Sequence, residues 1–326
     1  MKRRSFCRAV VAVAVGAAGV ASAQGTAPLR VAWVSTDDKG TPSPNLAAFR
    51  AGMRDLGYVE GRNLTLDAWY GDGSSDRVAQ LAPDIVRTKP TVIVAAGGLA
   101  LFALRRAGVN EPIVFSMSAD PVEAKVVDSF AHPGGNLTGI SLFTLALVGK
   151  RMELIREVLP RARSIALLTN PQHPGERKEL DVAQAAARQL GFTVRYFPVS
   201  SGATVEAALA DIARARDDAI LAFADGFMLG YAGRLAAFSR QTRIPAIDGW
   251  AAFAEAGNLM IYGPVFADVY RRLAEYVDRI AKGAKPADLP IELPTKVELV
   301  VNAQAAKAMG IVLPSAVLAR ADRIIG

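Results

Sequence analysis

The sequence predicts an α/β protein made of two Rossmann-like lobes, each built around a mostly parallel sheet. Three observations carry that reading. From Leu29 onward short apolar runs alternate with amphipathic stretches, the pattern of strands and helices around a parallel sheet. The second half repeats the order of the first, and RQLGF at 188–192 echoes RDLGY at 54–58. The chain beyond its first 23 residues has no cysteine, so a core alone must hold about 300 residues, most naturally as two domains.

The elements follow in order. Residues 29–34 read as a buried strand. Leu46, Phe49, Met53 and Leu56 then recur at helical spacing, and Gly57 stands where a helix end favours a left-handed residue. Ser75 can cap the next helix, whose apolar face is Val78, Leu81, Ile85 and Val86. Strands are expected at 91–95 and 112–115. In the second half a strand at 164–168 precedes a helix through Leu180, Ala183, Ala187 and Leu190 that ends at Gly191. Strands at 192–197, 219–223 and 245–247 complete the copy, with Val205, Ala208, Leu209 and Ile212 facing one intervening helix inward.

Residues 1–23 stand apart as a secretory signal peptide. Lys2, Arg3, Arg4 and Arg8 precede an apolar run at 9–20, and Ala21-Ser22-Ala23 fits a small-residue cleavage site. The run is shorter than the roughly 20 residues that span a bilayer. Cys7 precedes the run, so a lipid-bearing cysteine at the mature terminus is not expected. The leader holds four of the 38 basic residues and none of the 31 acidic ones, which lowers the formal charge from +7 to +3. No basic stripe interleaved with aromatics remains, so a nucleic-acid partner is not expected. With no later long apolar segment, a soluble monomer is expected.

In parallel sheets, ligands bind beyond the carboxyl ends of the strands, where strand order reverses. The repeat therefore pairs six loops: Ser35-Thr36-Asp37, Ala96-Gly97-Gly98-Leu99 and Ser116 to Asp120 (with Ser118) in the first lobe, against Thr169-Asn170-Pro171, Ala224-Asp225-Gly226 and Asp248-Gly249-Trp250 in the second. Helix starts in these loops can hold an anion. Asp120 and Asp225 can hold a cation. Each has a plainer reading too: Asp120 before Pro121 is an equally good helix cap, and Asp225 before Gly226 is ordinary turn chemistry. Trp250, Phe227 and Tyr262 can stack on a ligand or simply pack.

Catalytic and cofactor motifs are lacking. The stretch GGLALFAL at 97–104 is not G-x-G-x-x-G, and no P-loop lysine follows it. His132 and His173, each followed by proline, form no zinc-spaced set and read as surface loop residues, although His173 lies near the cleft. No G-x-S-x-G elbow is present. Neither a metal nor a cofactor is expected.

Several segments resemble a known family. FRAGMRDLGYVEGRNLTLD (49–67), VFSMSADPVEAKVVDSFAHPGGNLTGIS (114–141), EAGNLMIYGP (255–264), YRRLAEYVDRIAKGAKPADLPIELPTKVELVVN (270–302) and LPSAVLARADRIIG (313–326) are similar to ABC-transporter substrate-binding proteins that include tryptophan- and tyrosine-binding members. The likeness covers essentially all of the chain after the leader. It implies a type I periplasmic binding protein: two lobes joined by three crossings near Ser141, Asp248 and Leu293, with one lobe of residues 24–141 plus 249–290 and the other of 142–248 plus 291–326. It implies a small-molecule ligand, an ABC permease and ATPase at the inner membrane as partners, a periplasmic location and no chemical turnover. Ligand contacts carry over onto Thr36, Gly98, Asp120, Asn170 and Asp225. Many members have threonine where this chain has Leu99, which leaves an aromatic amino acid as one candidate ligand among several. Two other functions stay open on the sequence: a receptor module serving a sensor kinase or chemoreceptor, and a periplasmic enzyme on the same scaffold.

Overall fold

The computed structural model describes residues 28–326 except 41, 42, 143 and 174; the expected leader lies outside the described residues. The first lobe runs β1 (Leu29–Ser35), α1 (Pro44–Asp55), β2 (Leu64–Tyr70), α2 (Ser75–Arg87), β3 (Val92–Ala96), α3 (Gly98–Arg106), β4 (Ile113–Met117) and β5 (Leu137–Ser141). Among the described residues these strands form one sheet in the order β2-β1-β3-β4-β5, with every pairing parallel.

Both faces of this sheet are covered, which is why its inner strands read as continuous apolar runs. Val31, Trp33, Val92, Val94 and Val114 face one core with Leu46, Phe49 and Met53 of α1. Ala32, Val34, Ile93, Ala95 and Phe115 face the other with Val78, Ala82 and Ile85 of α2 and Leu101 and Leu104 of α3. Ser43 opens α1 by accepting a hydrogen bond from the Leu46 N–H, and Pro44 occupies the first helical position. The cap of α2 is Ser74, one residue earlier than the sequence suggests.

The second lobe runs α4 (Thr144–Val158), β6 (Ser164–Thr169), α5 (Glu176–Leu190), β7 (Thr193–Pro198), α6 (Gly202–Ala215), β8 (Ala219–Ala222), α7 (Gly226–Gly230), α8 (Ala232–Thr242), β9 (Ala246–Asp248), α9 (Ala251–Glu255) and β10 (Met260–Pro264). Then come α10 (Phe266–Ala281), β11 (Val297–Asn302), α11 (Ala303–Met309), α12 (Ser315–Arg320) and β12 (Arg323–Ile325). The sheet order is β12-β11-β10-β9-β8-β6-β7. Its run β7-β6-β8-β9-β10 repeats the five-strand order of the first lobe, so the internal copy read from the sequence is a copy of topology. β11 extends it antiparallel to β10, and β12 lies parallel to β11.

Helix α10 follows β10 of the second sheet but packs in the first lobe, where Val269, Tyr270, Leu273, Ala274 and Val277 complete the core beneath Val31 and Trp33. Gly52 of α1 allows this: a Cβ there would sit 2.9 Å from the Ala274 Cβ and the Arg271 carbonyl oxygen. The chain thus passes between lobes after β5, between β10 and α10, and ahead of β11.

Two features of the expected division are corrected. Residues 249–264, expected in the first lobe, belong with the second sheet, because β10 pairs in parallel with β9. Parallel pairing needs a crossover, and the five-residue α9 supplies it while burying Phe253 and Ala254. The second passage therefore falls at Val265, not near Asp248. Ile291 and Glu292, expected in the second lobe, stay with the first: the Ile291 N–H donates to the Phe130 carbonyl at 2.7 Å and the Glu292 N–H to the Gly139 carbonyl at 3.1 Å. Arg272 of α10 grips the Glu292 carboxylate through Nε at 2.8 Å and Nη2 at 2.7 Å, which fixes the start of the third passage.

Candidate functional site

Strand order reverses between β1 and β3 in one lobe and between β6 and β8 in the other, so the loops that follow these strands flank a crevice in each. The two crevices face a shared cleft. Across it Ser118, beyond β4, meets His173, beyond β6, with Oγ and Nε2 2.5 Å apart. Beside that contact Glu123 pairs with Lys178.

The second-lobe wall is acidic and buried. Asp225 caps α7, its Oδ1 accepting from the Met228 N–H at 2.6 Å, while its Oδ2 accepts from Asn170 Nδ2 at 2.8 Å. Asn170 in turn accepts the Gln172 N–H at 3.0 Å, which holds its amide toward Asp225. Burial pushes the Asp225 carboxyl up to about 6, against its hydrogen bonds to Met228 and Asn170. Asp248 closes β9. Its Oδ1 accepts the N–H of Gly249 at 2.5 Å and of Trp250 at 2.9 Å. Burial pushes this carboxyl up to about 7, opposed chiefly by the positive charge of Arg151. Trp250 turns back to the first lobe, where its ring meets Phe266 edge-on at 5.1 Å. Its indole N–H is buried without a hydrogen-bond partner among the described residues.

The first-lobe wall offers backbone donors. Gly97 adopts φ +101° and ψ 153°, a conformation open to glycine, and turns β3 sharply into α3. No side chain caps this helix, so the N–H groups at Gly98 and Leu99 begin it free of a side-chain acceptor. A helix start of this kind favours negative charge. Thr36 is half-buried and Asp37 exposed beside the same crevice.

Three expected contacts have other employment. Ser116 is wholly buried on the α10 side of β4 and shares a 3.0 Å hydrogen bond with Tyr270. It faces the core because side chains alternate along β4, with Phe115 and Met117 on the opposite face. Ser35 is also buried, and its Oγ accepts the Asp37 N–H at 3.3 Å, shaping the loop from within. Asp120 is a cap: its Oδ1 accepts the N–H of Val122 at 2.8 Å and of Glu123 at 3.2 Å.

Sequence reasoning missed two residues. His173, read as a surface loop residue, is packed at the cleft, and burial pushes its imidazole down to about 4. Arg151 of α4 is almost wholly buried at 1 % exposure, its Nε donating to the Tyr262 carbonyl at 2.8 Å. An arginine in a helix reads as a solvated face, and nothing in its neighbourhood in the sequence signals otherwise.

The cavity of about 240 Å³ behind the passages is a different place. Its charged lining is paired within itself, Arg272 with Glu292 and Lys296 with Asp268. Among the described residues no cluster of three or more histidine, cysteine or acidic side chains is placed to hold a metal ion. No described helix is long and apolar enough to cross a membrane.

Comparison with known proteins agrees with this architecture. A conserved domain protein from Vibrio cholerae O1 biovar El Tor superposes with a TM-score of 0.82 at 29 % identity, covering 90 % of this chain and 99 % of that one. The ABC domain of a Streptococcus pneumoniae protein solved in complex with L-Trp gives 0.83 at 22 % identity, covering 92 % and 100 %. A tyrosine-binding protein of Clostridioides difficile (strain R20291) is 22 % identical over 261 residues, 80 % of this chain and 75 % of that relative. The model of the ABC transporter substrate binding protein family matches residues 44–325, which is nearly all of the described chain. The protein belongs to that family of substrate-binding proteins.

Proposed function

We propose that this protein is the periplasmic receptor of an ABC importer and that it captures a zwitterionic small molecule of the aromatic amino acid class. One observation supports this most: the two walls of the cleft have opposite character. An uncapped helix start at Gly97–Leu99 suits a carboxylate, and the desolvated carboxylates of Asp225 and Asp248 suit an ammonium. Each wall belongs to a different lobe, so a zwitterion bridging them gains most when the lobes close and water leaves. Trp250 stands at the seam, with its ring against Phe266 and its N–H free to meet a ligand acceptor. The relatives that bind L-Trp or tyrosine set the ligand class to try first.

The ligand leaves unchanged and passes to a membrane permease driven by its ATPase. Calorimetric titration with L-tyrosine and L-tryptophan tests the ligand class, and mass spectrometry of the ligand after incubation tests the absence of turnover. Saturable binding at one site per chain with unaltered ligand is the expected result. A chemically altered ligand would overturn the receptor reading in favour of an enzyme.

A further inference from the structure

We propose that Arg151 is the positioning residue of this site: lying beneath Gly249, it sets the 248–250 turn and supplies the positive charge against which Asp248 meets a cationic ligand group. The inference rests on the zwitterion reading above and names the part of the protein that makes it possible.

The geometry is built around the guanidinium. A Cβ on Gly249 would fall 2.2 Å from Arg151 Nη2 and 2.6 Å from its Cζ, so the guanidinium lies directly against the backbone of that turn. A Cβ on Gly263 would fall 1.7 Å from the Gly249 carbonyl oxygen, so β10 presses the turn from its other side. Gly249 thus clears the space that Arg151 occupies, and Gly263 clears the space of the turn's own carbonyl. Its Nε is anchored on the Tyr262 carbonyl of β10 at 2.8 Å, and its buried Nη2 has no hydrogen-bond partner among the described residues. A cation taken out of water with a donor unused is costly, and its retention calls for a compensating charge.

That compensation is electrostatic. The groups facing Arg151 are Asp248 at the end of β9 and Glu179 of α5, and Asp225 at the start of α7 in turn faces Asp248. Asp248 and Asp225 are nearly buried, at 2 % and 7 % exposure, and Asp248 faces the guanidinium directly. Asp248 and Asp225 beside one guanidinium leave room for a second cation, the charge that a ligand ammonium brings. Among the described residues no ion pair within 4 Å joins Arg151 to Asp248; the guanidinium acts through the field and through the turn it supports, which leaves the carboxylate free to contact the ligand.

The test separates positioning from simple packing. The titration midpoint of Asp248 is measured by carbon-13 NMR in ligand-free parent, Arg151→Lys and Arg151→Met, with Asp248→Asn assigning the resonance. Titrations with L-tyrosine and L-tryptophan at pH 5.5, 6.5 and 8 accompany it. The Met variant is expected to raise the midpoint by a unit or more and to weaken binding at least tenfold at pH 6.5, with the deficit shrinking at pH 8. The Lys variant is expected to recover most of both. Gly249→Ala, which displaces the guanidinium without removing it, is expected to reproduce the pH-dependent loss and serves if the Met variant fails to fold. An unchanged midpoint, or a deficit equal at every pH, overturns the proposal. If the parent binds neither amino acid the ligand class fails, and the carboxyl titration, made without ligand, still decides the role of Arg151.

Discussion

Replacing Asp225 with asparagine separates the charge of the site from its shape. The asparagine side chain keeps an oxygen for the Met228 N–H, so the start of α7 survives, and it loses the negative charge offered to a ligand ammonium. A hydrogen bond to a charged group contributes about 1.5–3 kcal/mol, so Kd should rise roughly 10- to 150-fold. Stability should move the other way. The Asp225 carboxyl is raised from 3.8 to about 6, so its favourable contribution to folding is complete below pH 3.8 and is lost as pH climbs through 6. At pH 7.5 the ionised group therefore costs the free protein on the order of 3 kcal/mol, which the amide removes. Against this stands the lost hydrogen bond from Asn170, worth about 1 kcal/mol. Asp225→Asn should thus melt no lower than the parent while binding more weakly. The parent's affinity should also fall between pH 7 and pH 5 as Asp225 and Asp248 take up protons, with the share of Asp225 roughly tenfold, and the variant's, left with Asp248 alone, should fall less. Calorimetric titration at both pH values, with melting curves, reads all three quantities. Equal affinity and equal pH dependence in the two proteins would refute the assignment of Asp225 to the ligand cation.

Other outcomes are expected. Asp120→Ala should lose about 1 kcal/mol of stability with its cap and weaken binding less than Asp225→Ala does, as melting and titration of the two variants will show. The His173 imidazole is pushed down to about 4, so the unfolded chain binds its proton first and stability should fall as pH drops from 6.5 toward 4; a parent whose melting profile over that range matches that of His173→Gln would contradict this. Because His173 is half-buried and contacts Ser118 across the cleft, its protonation should favour the open form, visible as a larger radius of gyration in small-angle scattering below pH 5. Intact-mass measurement of the exported protein should show the first 23 residues gone.

Most of the inner sheet was legible because buried parallel strands are unbroken apolar runs, as in β1, β3, β6 and β8. β2 was not, since LTLDAWY is an edge strand carrying Asp67 and never presents such a run. β9 and β10 were misjudged together. A three-residue strand ending in Asp248 looks like the last of its lobe, and only the return of Met260 beside Ile247 shows that the sheet continues. The repeat points to loops that the fold sets at the carboxyl ends of its strands, and there Asn170 and Asp225 are hydrogen-bonded, with Asp248 near Asp225. Ser116 was misplaced because a serine at a strand end can face either side, and the register along β4 turns it toward Tyr270. Arg151 and His173 escaped because their roles depend on burial created by distant segments: β10 and Gly249 for one, the opposite lobe for the other.

The most direct test of the central claim is a thermal melt of the full protein against a panel of free amino acids at pH 7.5, with the Asp225→Ala variant alongside. A ligand that binds the native state at a hundred times its Kd stabilises by about 2.7 kcal/mol, a shift of several degrees for a chain of this size. The account predicts that aromatic amino acids raise the parent's melting temperature by that amount and that the shift largely disappears in the variant. No shift with any amino acid, or an undiminished shift in Asp225→Ala, would contradict a cleft that holds a zwitterion between a helix start and a buried carboxylate.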